Sequence, residues 1–316
     1  MTLPAPYSPL VSGGEGLEKY PGEASALQER MAQVYGVASD QVLAVRGLTH
    51  GLELVWRLAA RDGRSVEAPD AEPYAGLGRI YRATDGERAA VVIRALGSPE
   101  AVAEMAERVA PALLVVDEGL VEFADAPSAS TLIADHANLV VLRSLSLAYG
   151  LAGARVGAAL AQAGTLARLA EVVELYALPE PLVRLAMQAL DPSRMIETAE
   201  RIAAVRRERE RLVREIGRAM TVEAGVGPIV MARPSDVDAT LAELTRYGVA
   251  ADRSGDRLRL PVSIKAEVND RLLTALGLAP STARAHRVGQ AVRDTKETRI
   301  VCACRCRSRP RSTTGC

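Results

Sequence analysis

Lysine is nearly missing from this chain. Of 39 basic residues only Lys19, Lys265 and Lys296 carry an amine, and the others are arginines. A mechanism that needs an amine nucleophile therefore has three side chains to draw on. Cysteine is absent from Met1 to Val301, and all four cysteines fall within the closing stretch VCACRCRSRPRSTTGC. No disulfide framework holds the body together. Cys302, Cys304 and Cys306 alternate instead of showing the two-residue gaps of a zinc knuckle, so no metal site is expected. Phe123 and Trp56 are the single Phe and Trp, a scarcity that goes with a bias toward Ala and Arg. There is no uncharged apolar run of about 18 residues, so no membrane-spanning helix is expected. The opening MTLPAPYSPLVSGGEGLEKY has neither the basic start nor the apolar core of a signal peptide, and a cytoplasmic location follows. With 39 acidic residues against 39 basic and 48% apolar content, neither disorder nor a nucleic-acid partner is indicated.

What is present is enough for two cores: 316 residues suit one large domain and a smaller one. From Ala24 to Tyr35, ASALQERMAQVY carries apolar residues at helical spacing and Gly36 stops it. VLAV (Val42–Val45) reads as a strand, after which Arg46-Gly47 turns into a helix containing GLELVWRLAA. AAVVIRAL, PALLVVDEGL and NLVVLRS contain continuous apolar runs, which suit strands covered on both faces. Helical segments such as PEAVAEMAERVA alternate with them, the pattern of a doubly wound α/β domain. Asp191-Pro192 then supplies an N-cap with proline at the first helical position. The spacing predicts a long helix of about 28 residues, roughly 42 Å, with Met195, Ala199, Ile202, Val205, Leu212 and Ile216 on one stripe. Beyond it, GPIVMARP, DVDATLAELTRYG, RLRLPV and AEVNDRLLTALGL make a small α/β unit, with the boundary near 191.

In open parallel sheets, ligands gather beyond the carboxyl ends of the strands. That rule selects Asp117, Ser144, Ser146, Arg94 and the Arg46–His50 turn. A helix start with free N–H groups, two hydroxyls and Arg155 suits a phosphate. Taken singly, each residue also has an ordinary use: a serine caps a turn, a strand-end aspartate caps a helix, and His50 caps a helix or lies at the surface. His136 and His286 fit no pattern.

Together these residues resemble a family. NLVVLRSLSLAYGLAGARVGAAL is similar to the cofactor segment of the histidinol-phosphate aminotransferases, pyridoxal-phosphate enzymes of fold type I. The similarity runs in order through KYPGEASALQERMAQVYGVASDQVLAVRGLTHGLEL, EPYAGL, VVDEGLVEF and RLRLPVSIKAEVNDRLLTAL, roughly Lys19 to Leu278. The resemblance implies an α/β fold in which helices sandwich a mostly parallel sheet, followed by a smaller α/β domain. The corresponding divisions are an arm at 1–22, the large domain at 23–191, the small domain at 192–282 and a poorly ordered tail at 283–316. It implies that Asp117 pairs with the pyridinium nitrogen and that Tyr74 lies against the ring. Gly47, Leu48, Thr49, Ser144, Ser146 and Arg155 would hold the phosphate, helped by Tyr20 of a neighbouring subunit. Arg259 would grip a substrate carboxylate as a fork. Core packing for Tyr74 and a sheet-edge charge for Arg259 remain the alternatives. A homodimer is expected.

The departures from the family are concentrated on one side of the cofactor. Leu147 stands where the family has the lysine that forms the Schiff base and shuttles the proton. Leu120 replaces a tyrosine that touches the phenolic oxygen, and RALGSPEA replaces a stretch whose asparagine supports that same oxygen. Thr49-His50 replaces an Asp-Glu pair, and APYSP lacks a further asparagine. Lys19, Lys265 and Lys296 are not expected at strand ends facing the ring. The reading is a family member whose ancestral reaction moves an amino group between glutamate and imidazole-acetol phosphate, with no intact catalytic residue. Pyridoxal phosphate or a related phosphorylated amine would be held without a covalent bond. The alternatives are a non-catalytic partner of a lysine-bearing paralogue, forming a heterodimer, and a weak enzyme that uses a preformed amine cofactor.

RVGQAVRDTKETRIV (Arg287–Val301) resembles the opening strand of imidazoleglycerol-phosphate dehydratase. That enzyme's metal-binding histidine clusters are absent, so no dehydratase activity is expected. The tail is read as a disturbed junction between neighbouring reading frames.

Overall fold

Alternating apolar runs and helical stripes fold as two sheets with helices packed on them. The computed structural model of the chain describes residues 16–18, 20–81, 90–124 and 126–278. Lys19, Lys296, His286, the APYSP segment, the terminal cysteines and the Arg287–Val301 resemblance lie outside the described residues. Helix α1 (Ser25–Tyr35) ends at Gly36, whose left-handed φ of 68° lets its N–H reach back to Ala32. Strand β1 (Val42–Val45) leads into α2 (Gly47–Arg61), followed by β2 (Val66–Glu67), α3 (Tyr74–Tyr81) and β3 (Val91–Ala95). Ser98 caps α4 (Pro99–Val109) by accepting from the Ala101 N–H, with Pro99 in the first turn. Then come β4 (Leu113–Asp117), β5 (Leu139–Ser144), β6 (Gly157–Ala161), α5 (Ala163–Ala170) and α6 (Glu180–Ala189).

The first sheet has the order β1-β6-β5-β4-β3-β2. Strands β2 to β5 pair in parallel, whereas β6 runs antiparallel to both β5 and β1. Side chains on its strands point alternately to opposite faces. Leu114, Val116, Leu139 and Val141 join the core beneath α1 and α4. Leu113, Val115, Val140 and Leu142 join the core around α2 and α5. Both faces are thus covered, which explains the near-continuous apolar runs of β4 and β5.

Asp191 accepts the Ser193 N–H at a short 3-10 turn, Pro192–Arg194, and only then does α7 (Met195–Ile216) begin. The long helix has 22 residues rather than the expected 28, and spans roughly 33 Å. Its stripe also differs at one place: Ala199 is exposed and Thr198 is buried in its stead. Strands β7 (Thr221–Ala224) and β8 (Ile229–Arg233), helix α8 (Val237–Arg246), β9 (Asp252–Ser254), β10 (Arg257–Pro261) and α9 (Ala266–Ala275) complete the described chain. The second sheet is antiparallel, in the order β7-β8-β10-β9. Asn269 fastens it to α7: its amide donates to Glu208 at 2.9 Å and to the Ser263 carbonyl at 2.8 Å. We propose 191 as the domain boundary, because the first sheet lies wholly before it and the second wholly after.

One α7 arginine joins the halves and a second fastens α7 to the loop between β7 and β8. Arg206 donates to the Glu122 and Ala124 carbonyls, and Arg209 donates to those of Gly225 and Gly227 at 3.1 and 3.2 Å. Gly227 in turn abuts Leu120: a Cβ there would sit 3.0 Å from a Leu120 methyl.

The tightest point of the first sheet is Gly157. It pairs with Val45 on one side and Ser144 on the other, and a Cβ on it would lie 2.5 Å from the Arg143 carbonyl oxygen. Because the obstruction is backbone, it cannot swing away. Gly157→Ala should therefore cost about 1–3 kcal/mol of stability, read as a lowered urea midpoint; an unchanged midpoint would show that the strands are not this close.

Candidate functional site

The pairing at Gly157 sets three segments side by side: the β1–α2 turn, the end of β5, and the Arg155–Gly157 approach to β6. Gly47 opens α2 with φ of +75°, and a Cβ on it would stand 3.0 Å from Arg155 Nη2, so the guanidinium lies directly on the turn. Arg155 takes a left-handed backbone (φ 53°) to reach this place. It donates to the Ala152 carbonyl at 3.3 Å and makes no ion pair with a carboxylate among the described residues. No side chain caps the first turn of α2 at its Ncap position, and first-turn N–H groups have no partners within a helix. Ser144 is buried and accepts the Ser146 N–H at 3.1 Å. Gly47, Leu48, Thr49, Ser144, Ser146 and Arg155 thus share one edge of the sheet. Donors and a positive charge predominate there, which suits an anion with several oxygens.

Asp117 ends β4, two strands from β6. Its Oδ1 accepts the Gly119 N–H at 3.0 Å and its Oδ2 accepts the Tyr74 hydroxyl at 2.5 Å. Burial, reinforced by the Asp117 charge, raises the Tyr74 phenol well above its ordinary value, so the hydroxyl stays protonated. Leu48 reaches across to Gly119, where an added Cβ would meet its Cδ1 at 2.7 Å. Leu147 lies in the loop beyond β5 and is 40% exposed, although Leu145, Ala148 and Tyr149 around it are buried.

Other expected residues stand elsewhere. Arg94 pairs with Glu67 at the β2 edge. Arg259 is exposed on β10, opposite Met231 and Asp252, and belongs to the second sheet. Lys265, the only lysine among the described residues, is the N-cap of α9. Tyr20 is 53% exposed, its ring centroid 4.9 Å from that of Tyr176. Among the described residues no group of His, Cys, Asp or Glu could hold a metal ion, and no helix is long and apolar enough to cross a membrane.

Two clusters carry no sequence signal. Glu174, in the loop after α5, gathers Arg46, His50 (2.9 Å) and Arg57 (3.2 Å) onto one carboxylate. The second is buried: Arg143 binds Glu122 at 2.9 Å and the Ser128 hydroxyl at 3.2 Å, while Glu118 accepts from that hydroxyl and from the Ala129 N–H. These bonds tether the residue next to Asp117 to β5. Burial raises the Glu118 carboxyl pKa against the pull of these partners.

The fold is that of the class I and II aminotransferases. The family model described as aminotransferase class I and II matches residues 95–276. The histidinol-phosphate aminotransferase of Stenotrophomonas maltophilia (strain R551-3) is 37% identical over 297 residues, covering 79% of this chain and 81% of that protein. That of Xanthomonas euvesicatoria pv. vesicatoria (strain 85-10) is 32% identical over 304 residues, 82% of this chain and 84% of that one. The chain belongs to the histidinol-phosphate aminotransferase family, and so to the aminotransferases of histidine biosynthesis. Among solved structures, the histidinol-phosphate aminotransferase of Sinorhizobium meliloti in complex with pyridoxal 5′-phosphate superposes with a TM-score of 0.71 at 19% identity, covering 84% of this chain and 83% of that one. The L-threonine-O-3-phosphate decarboxylase of Porphyromonas gingivalis gives 0.70 at 17%, covering 82% and 89%. These two likenesses concern the fold.

His50 occupies a helix-capping position: its Nδ1 accepts the Arg46 N–H at 3.0 Å, so Nε2 carries the proton given to Glu174. Burial lowers its pKa, outweighing the Glu174 carboxylate. The neutral ring therefore stabilises the fold fully above pH about 6.5, and that contribution is lost as pH falls through the lower folded value. His50→Gln keeps an acceptor and a donor without titrating. Urea midpoints of the wild type should fall more steeply between pH 6.5 and 5 than those of the variant; equal slopes would show that His50 does not control this window.

Proposed function

We propose that this chain is a histidinol-phosphate aminotransferase homologue that holds pyridoxal phosphate, or a related phosphorylated amine, without a covalent bond and has lost normal transamination. The observation that carries the reading is Leu147, a hydrocarbon beyond β5 next to an intact anion cup. The donor set fits the phosphate end of the cofactor. Gly47, with its φ of +75°, lets the Arg155 guanidinium lie close on the turn, and the α2 amides, Ser144 and Ser146 supply uncharged donors. Asp117 and Tyr74 suit a heteroaromatic ring. At the reactive end the fit stops, because Leu147 offers no nitrogen.

When bound, pyridoxal phosphate supplies an electron sink. The chain's residues would supply the rest. The cup would bind and orient the phosphate, Asp117 would offer a carboxylate to a ring N–H in competition with the Tyr74 hydroxyl, Tyr74 would lie against the ring, and Arg259, from the second sheet, would have to fork onto a substrate carboxylate. Leu147 can neither hold nor move a proton. Loss of one essential proton-transfer group typically removes about 10²- to 10⁴-fold of rate, and the covalent route goes with it. The ancestral reaction, amino transfer between glutamate and imidazole-acetol phosphate, would proceed slowly at best.

We further propose a cytoplasmic homodimer in which Tyr20 completes the cup of the second copy. A heterodimer with a lysine-bearing paralogue is the second reading. The exposed apolar surface of Tyr20, Leu175 and Tyr176, with Leu175 83% exposed, supports a subunit contact in either case.

The test is the spectrum of the purified chain with pyridoxal phosphate before and after borohydride. The expected result is no reduced adduct on any peptide, including 142–157, with the ligand released on denaturation as pyridoxal phosphate before borohydride and as its alcohol, pyridoxine phosphate, after it. Leu147→Lys should restore attachment but little turnover, since Leu120 and the missing asparagine leave the phenolic oxygen unsupported. A borohydride-fixed adduct in the wild type, or full activity from the single change, would contradict the reading.

A further inference from the structure

Given the cup proposed above, on which this step rests, we infer that Tyr74 competes with the ligand for Asp117, so that the site selects phosphomonoesters by their phosphate and ring face rather than by a ring nitrogen. The Asp117 carboxylate is already satisfied by its own chain. Gly119 N–H holds Oδ1 at 3.0 Å and Tyr74 Oη holds Oδ2 at 2.5 Å. The second contact has the length of a charge-assisted O–H···O⁻ bond, the strong kind.

Both donors are themselves held in place. Tyr74 is 9% exposed at the start of α3 and packs in the core that contains Val115 and Leu142. Gly119 lies under Leu48, whose Cδ1 would be 2.7 Å from any Cβ there. Leu48 thus packs over the turn that follows β4, from the side of the anion cup. A ring N–H arriving at Asp117 must displace the Tyr74 hydroxyl or share its acceptor. Either way the gain from pairing with the carboxylate is largely cancelled by the bond lost, since hydrogen bonding on binding is an exchange. The ring of Tyr74 still offers an apolar face, and the cup still offers its donors.

The substitution that separates these effects is Tyr74→Phe, which keeps the ring and removes the hydroxyl. Calorimetry on the full chain would use three probes: inorganic phosphate, benzyl phosphate, and pyridoxamine phosphate, which adds the ring nitrogen. The wild type is expected to bind the two aromatic phosphates with similar affinity. In Tyr74→Phe, pyridoxamine phosphate should tighten about tenfold, the worth of one hydrogen bond to a charged group, with benzyl phosphate unchanged. Adding Asp117→Asn to Tyr74→Phe should abolish that gain, a result that mere relief of crowding would not give. Circular dichroism would check that each variant is folded.

An unchanged or weaker affinity of Tyr74→Phe for pyridoxamine phosphate would overturn the inference. So would equal tightening of benzyl phosphate, or a wild type that already prefers pyridoxamine phosphate tenfold or more. Failure of all three probes to bind either protein would instead refute the cup, and this inference would fall with it.

Discussion

Everything at the strand ends depends on how closely three backbones pass at Gly157. Antiparallel β6 is wedged between β1 and β5, with Val45 and Ser144 as its two register partners at that residue. An added Cβ would meet the Arg143 carbonyl at 2.5 Å and the Gly47 backbone at 3.2 Å. That closeness brings the start of α2, the serines after β5 and the left-handed Arg155 to one edge. Phosphate-suited groups gather here because of main-chain packing, which mutation at the reactive end does not disturb. The anion cup and the vacancy at Leu147 can therefore coexist in one fold.

Much of the fold was legible because its signals are local. Continuous apolar runs marked β3, β4 and β5, since both faces of those strands are covered. Gly36 announced a helix end through backbone chemistry that needs no tertiary partner. The misses have equally physical causes. GAALA looked unremarkable because alanines and glycine are what a tightly flanked antiparallel strand tolerates, not what strand propensity favours. The long helix was read as 28 residues because the apolar stripe does not distinguish a 3-10 entry from an α-helical one.

The site was legible in part. Strand-end position selected Asp117, Ser144, Ser146 and the Arg46–His50 turn, within which the family resemblance picked out Gly47 to Thr49, and these lie at one sheet edge. Arg94 obeyed the same rule and yet pairs with Glu67, since it lies beside an edge strand that supplies a carboxylate. The Tyr74–Asp117 bond joins residues 43 apart, and Glu174 meets His50 over 124 positions. No local pattern encodes such contacts. Where a family resemblance names the residues, it leaves open which partners they have chosen within the chain.

The substitutions share a direction. On the proposed reading, Leu147 stands where the family carries an amine and Leu120 where it carries a hydroxyl, and Leu120 packs on Gly227 across the two halves. Leu48 packs over Gly119 in the turn that follows β4. On that reading, hydrocarbon has replaced reactive groups while the anion donors persist, which is the chemistry of a binding site. A crystal structure of the chain grown with pyridoxal phosphate tests this most directly. The account predicts the phosphate held between the start of α2, Ser144 and Arg155, with the carbonyl carbon bonded to no protein atom; continuous density from that carbon to any nitrogen of the polypeptide would contradict it.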